Sequence, residues 1–153
     1  MSVSVQFKDF DVSQELDGLR SGKASVGAVV CFVGTVRDMN ENETISEMEL
    51  EHYPGMTEKI LQNIVDEAKE RFPLQGVRVI HRIGILKPMD QIVLAAVAAM
   101  HRTDAFSACA FIMDHLKVQT PLWKREQRAS GSHWVKAKEA DEQAAKRWDK
   151  DNG

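Results

Sequence analysis

No stretch of this chain reaches the roughly 18 consecutive apolar residues that a helix needs to cross a bilayer, so no membrane association is expected. The opening residues, MSVSVQFKDF, also lack a basic segment followed by an apolar core, and the expected location is the cytoplasm. Cysteine is scarce. Cys31 and Cys109 both lie inside apolar runs, which argues against a disulfide framework and fits reduced, buried thiols. Neither CxxC, HExxH nor a glycine-rich phosphate loop occurs, so no metal ligand set and no resident cofactor are expected. Basic excess is missing as well: 20 Lys and Arg stand against 23 Asp and Glu, a formal net charge of -3, and Tyr53 is the only tyrosine. Nucleic-acid binders usually show a basic balance or stacking aromatics, so nucleic acid is not an expected partner. Any anion must be held by a local cluster of cations, since the global field is unfavourable.

What is present is an ordinary globular composition, 43% hydrophobic and 28% charged over 153 residues. That length suits one domain, residues 1–153, able to bury about 70% of its unfolded surface. Val3–Phe7 has the pattern of an edge strand, and Asp11 or Ser13 caps a short helix that runs through Arg20 and stops at Gly22. Val26–Val36 is almost wholly apolar and β-branched, the pattern of a strand covered on both faces. Ile45–Tyr53 alternates Met48, Leu50 and His52 with Glu47, Glu49 and Glu51, as a half-exposed strand does. Pro54-Gly55 turns the chain into an amphipathic helix whose apolar face carries Ile60, Leu61, Ile64, Val65 and Ala68 and which Pro73 ends. Strands are expected at Val77–Ile83 and Ile92–Met100, a helix at Thr103–Leu116, and a last strand at Trp134-Val135. The tail from about 138 to 153 is polar with helical propensity, and belongs on the surface or at an interface. These elements sum to an α+β fold with a mostly antiparallel sheet.

Cations gather where these elements end. Val26–Val36 runs into Arg37, and Ile92–Met100 runs into His101 and Arg102. Phe106, Cys109, Ala110, Met113 and Leu116 fall on or beside one helical stripe, and Lys117 lies one turn beyond Met113 at its end. Pro121 forbids further helix. Beyond it Leu122, Lys124 and Glu126 share one face of a strand and Trp123 and Arg125 the other, so burial of Trp123 would fix the direction of Lys124. Two ammonium groups on either side of a proline-marked turn, with guanidinium groups at strand ends, are a pattern for a phosphate or carboxylate pocket. A lone strand histidine such as His81, by contrast, is usually a satisfied half-buried residue.

The order and spacing of FVGTVRD (32–38), LEHYPGM (50–56), IHRIG (80–84), MHRTDAF (100–106) and FIMDHLKVQTPLWKRE (111–126), followed by Trp134 and the AAKRW that ends at Trp148, resemble the large, catalytic subunit of molybdopterin synthase. The likeness spans nearly the whole chain. Two positions depart from it: Met89 stands where the family usually has glycine, and Lys138 where some relatives carry arginine.

That resemblance implies an α/β hammerhead-type fold and the conversion of a cyclic pyranopterin monophosphate into molybdopterin, two sulfurs being installed as a dithiolene. It implies a partner as well: a small, ubiquitin-like subunit that ends in Gly-Gly and carries the sulfur as a C-terminal thiocarboxylate. The assembly implied is a homodimer of this chain within a heterotetramer, with pockets open to residues from both copies. Lys117 and Lys124 would be catalytic. Thr35, Val36, Arg37, His101, Arg102, Arg125 and Glu126 would join them in holding the substrate, and Phe32 and Met113 would touch the partner's tail. The apolar neighbours of Cys31 argue against a persulfide route through it. Two rivals stand beside this reading: a non-enzymatic phosphate or RNA-binding module using the same cations, and a lysine Schiff-base enzyme that acts without a partner.

Overall fold

The computed structural model describes residues 2–135 and 139–149. Thirteen elements follow in the order β1 (Val3–Gln6), α1 (Val12–Arg20), β2 (Ala28–Thr35), β3 (Met39–Asn40), β4 (Glu43–His52), α2 (Met56–Arg71), β5 (Leu74–Arg82), β6 (Gly84–Leu86), β7 (Gln91–Ala99), α3 (Arg102–Gln119), β8 (Leu122–Arg128), β9 (Gly131–Val135) and α4 (Glu139–Lys146). They form an α+β domain, as the sequence pattern implies. One sheet has the order β1-β5-β7-β2, in which only the β1–β5 pair is parallel. The other has the order β3-β4-β8-β9, with the short β6 also paired to β4. No helix among the described residues is long and apolar enough to cross a membrane.

Alternation decides which faces meet. On β5, Val77, Val79 and His81 face a core shared with α2 and α3, where Leu61, Ile64, Val65, Phe111 and Ile112 pack. Ile80 faces the opposite side and packs with Phe10, Leu19 and Leu94 beneath α1. The strand covered on both faces is therefore β7, whose residues Ile92–Ala99 are all buried, and not β2. β2 is an edge strand paired only with β7, which leaves Cys31 exposed and Phe32 40% exposed. This corrects the expectation of two buried thiols. Apolar β-branched runs signal a strand, and strand order then decides coverage. Cys109 does lie in the core, where burial raises its thiol pKa to about 11.

Three more expectations change. α3 begins at Arg102 and runs to Gln119, past the predicted end at Leu116, so Lys117 sits in its last turn. Phe106 is exposed, and the buried face of α3 is carried by Ala105, Ala108, Cys109, Phe111, Ile112, Met113 and Leu116. Trp123 is 46% exposed; what turns Lys124 inward is the register Lys124↔Leu50 on β4, which is itself buried. At the C-terminal end, α4 leads to Trp148, whose ring packs edge-on against Phe72 and Phe111 and whose indole N–H donates to Asp114 at 2.8 Å. The tail is thereby clasped to α3 one turn before Lys117. Lys138 lies outside the described residues.

Met89 adopts φ +80°, a left-handed conformation that a glycine reaches without steric cost. The departure noted at this turn is thus a backbone strain of about 1 kcal/mol at an exposed position. Met89→Gly should raise thermal stability by a few degrees, a shift that differential scanning calorimetry would read.

Candidate functional site

Between the end of β2, the end of α3 and the inner face of β8 lies a cavity of ≈ 480 Å³, of the size that takes a small organic ligand. Each wall comes from a different element. Phe32, Thr35 and Arg37 line it from β2 and the turn that follows. Lys117 and Thr120 line it from the end of α3, and Lys124 and Glu126 from β8. His81 of β5 is also part of the lining. The sequence-derived pair Lys117 and Lys124 therefore does converge on one cavity, with Arg37 on the same wall system.

The other candidates lie elsewhere. Val36 is buried, and its backbone bonds Asp90 and Met89, which anchors the turn that carries Arg37. Met113 belongs to the core. Arg125 points to the outer face of its sheet, where it pairs with Glu49 and lies over the Trp134 ring at 5.5 Å. His101 and Arg102 begin α3 and are exposed. A helical rise of 1.5 Å per residue puts Arg102 about 22 Å along the axis from Lys117. Arg102 thus stands at the opposite end of α3 from Lys117 and is not among the residues that line the cavity.

Glu126 has structural obligations of its own. Its Oε1 accepts from Asn40 Nδ2 at 3.0 Å, from Arg128 Nε at 3.0 Å and from Arg128 Nη2 at 2.7 Å. Arg128 in turn reaches Glu41 at 3.1 Å and Glu43 at 3.6 Å. A buried carboxylate with three charge-assisted or amide donors is held firmly, and it ties the β3–β4 turn to β8. Arg37 and Lys124 thus sit on segments locked to each other through Glu126.

His81 is the residue that sequence reasoning passed over. It is not half-buried but 3% exposed, and it sits in the cavity wall. Its pKa is pushed down to about 4, chiefly by burial, with the charges of Lys124, Lys117 and His52 acting in the same direction. The signal available in the sequence was the phase of β5: His81 shares the inward face with Val77 and Val79. Because the unfolded chain takes up a proton near pH 6.5 that the folded ring refuses, stability should fall as the pH drops from about 6.5 toward about 4. The loss attributable to His81 between pH 7 and pH 5 is about 2 kcal/mol. Urea titrations of the parent and of His81→Phe at the two pH values would read it as a steeper decline in the parent.

The family model described as MoaE protein matches residues 5–119. The chain belongs to the MoaE family. It is 56% identical over 147 residues to the molybdopterin synthase catalytic subunit of Ralstonia nicotianae, covering 96% of this chain and 84% of that one. It is 52% identical over 139 residues to the Escherichia coli protein of the same name, covering 91% and 92%. Among solved structures, the MoaE protein of Burkholderia ambifaria superposes with a TM-score of 0.82 at 47% identity, over 97% of this chain and 98% of that one. Molybdopterin synthase from Staphylococcus aureus gives 0.80 at 33% identity, over 86% and 95%. MoaE relatives so named are enzymes of molybdenum cofactor biosynthesis, and the α+β architecture here is the family's.

Proposed function

We propose that this chain is the catalytic subunit of a molybdopterin synthase, moving sulfur from the C-terminal thiocarboxylate of a small ubiquitin-like subunit onto a cyclic pyranopterin monophosphate. The observation that carries the proposal is the convergence of Lys117, Lys124 and Arg37 on one cavity in a chain whose net charge is negative. Such a site favours anions locally, and every charged species of this reaction is an anion: the substrate phosphate, the oxygen it leaves and the incoming thiocarboxylate. Cations fixed where negative charge develops stabilise the transition state without reorganising. A structure of the complex of subunits 1 and 2 of molybdopterin-converting factor from Helicobacter pylori contains a chain that shares this fold, with a TM-score of 0.73 at 17% identity over 89% of this chain and 91% of that one. It supports the reading that a small subunit docks here.

Lys117 and Lys124 are assigned the reacting centre and Arg37 the substrate's phosphate. Phe32, exposed at the cavity wall, offers an apolar contact for the incoming tail. The separation of Arg102 from Lys117 supports a homodimeric arrangement in which His101 and Arg102 of one copy serve the pocket of the other. Met113 and Arg125, set in the core and on the outer face, are then best read as shaping α3 and β8. No resident metal or cofactor enters this scheme.

Arg37→Ala should weaken binding of the pyranopterin phosphate about tenfold to a hundredfold, the worth of one charge-assisted contact, and leave affinity for the small subunit unchanged. Calorimetric titrations of both ligands against the variant test this. Lost partner affinity with intact substrate affinity would remove Arg37 from the phosphate site.

A further inference from the structure

Among the polar side chains that line the cavity, Arg37, Lys117 and Lys124 are cations that can only donate, whereas His81 can accept. Its Nδ1 lies 2.8 Å from the carbonyl oxygen of Arg82. A carbonyl can only accept, so Nδ1 carries the proton, and in a neutral ring Nε2 is then a bare lone pair. The ring is neutral because it is buried among Lys117, Lys124 and His52, where a further positive charge is unfavourable. Nε2 is the end of the ring remote from the strand, and it makes no hydrogen bond with any other described residue.

The remaining acceptors in the wall are fewer than they look. Oε1 of Glu126 is occupied by Asn40 and Arg128. Thr120 Oγ1 is buried without a hydrogen-bond partner and stands beside this wall, able to give or receive. A neutral Nε2 in the wall of a ligand cavity is an acceptor that an N–H of the ligand can pair with in place of water.

We propose that His81 reads the heterocycle of the substrate, its Nε2 accepting a ring N–H of the bound pterin while Arg37 and the two lysines take the anionic end. This rests on the pyranopterin reading above and adds a specificity-determining residue to it. A ligand with phosphate alone satisfies the cations and leaves His81 unpaired; a ligand with both groups satisfies the whole wall. Discrimination of that kind, by a site built to pair with an N–H, is stronger than apolar fit can give.

Three substitutions separate the roles of the two ring nitrogens. His81→Asn keeps a short-armed N–H for the Arg82 carbonyl and removes the deep acceptor. His81→Gln places an amide oxygen near the position of Nε2. His81→Phe keeps the ring and removes both nitrogens. With the full chain, titrations would use cyclic pyranopterin monophosphate, a phosphate-free tetrahydropterin and inorganic phosphate. Expected is a loss of about tenfold or more for both pterins in the Asn and Phe variants, partial recovery in Gln, and unchanged binding of inorganic phosphate. In parallel, ¹⁵N-histidine spectra of the parent should show His81 Nε2 unprotonated at neutral pH, shifting when the tetrahydropterin is added and not when phosphate is. Pterin binding by His81→Asn equal to the parent's, or an Nε2 signal indifferent to the pterin, overturns this inference alone. Failure of the parent to bind either pterin overturns the substrate assignment and this inference with it.

Discussion

Lys124→Ala and Lys117→Ala should each lower dithiolene formation by about 100-fold or more, with melting temperatures close to the parent's. Lys117 is exposed at the end of α3, and Lys124 is only partly buried on β8, so neither removal opens a hole in the core. What is lost is a fixed positive charge where anionic oxygen and sulfur meet. Lys124→Arg should recover only part of the activity, because a planar guanidinium is a wider donor and cannot give up its proton near neutral pH. Product assays with the thiocarboxylated small subunit, beside thermal melts of each variant, decide the point. Turnover near the parent's in either alanine variant would remove that lysine from the reacting centre.

The lysine pair was legible because both residues obey local rules. The stripe on α3 places Lys117 and the alternation after Pro121 puts Lys124 on the face opposite Trp123, while the register Lys124↔Leu50 that turns Lys124 inward comes from the pairing with β4. Strand order was not legible in the same way. β2 and β7 are both apolar runs, and nothing local says that β7 takes the middle of the sheet and β2 its edge. Cys31 was therefore misplaced, while Cys109, fixed by helical phase, was placed correctly in the core. His81 escaped for a related reason. Its inward phase was readable, but the cavity it lines is built by α3 and β8, residues far along the chain, and only tertiary structure brings them opposite it.

Distance along α3 leads to the second large effect. If His101 and Arg102 serve the pocket of a second copy, a chain carrying Lys124→Ala and a chain carrying Arg102→Ala fail by different routes and can repair each other. Each variant alone should be nearly inactive. After unfolding and refolding together in equal amounts, random pairing gives each pocket an intact lysine and an intact arginine in about a quarter of cases, so about a quarter of parental activity should return. Activity no higher than that of the two variants assayed separately would place Arg102 outside the shared pocket. The mixture also serves as its own folding control, since recovered activity requires both chains to fold and pair.

The central claim is that sulfur reaches the pterin directly from the partner's thiocarboxylate, guided by cations of this chain. Cys31 is exposed and so reachable, but a persulfide relay from a thiocarboxylate would need a two-electron oxidant that the reaction does not supply, and relay thiols are usually activated by nearby positive charge. The most direct measurement uses a chain carrying Cys31→Ala and Cys109→Ala, verified as folded. It is given cyclic pyranopterin monophosphate and a thiocarboxylated small subunit ending in Gly-Gly as the only sulfur source, and dithiolene is counted against thiocarboxylate consumed. The account predicts product at close to the parental rate, with two thiocarboxylates spent per dithiolene formed. A cysteine-free chain that is folded, binds the small subunit and yet makes no dithiolene would contradict it.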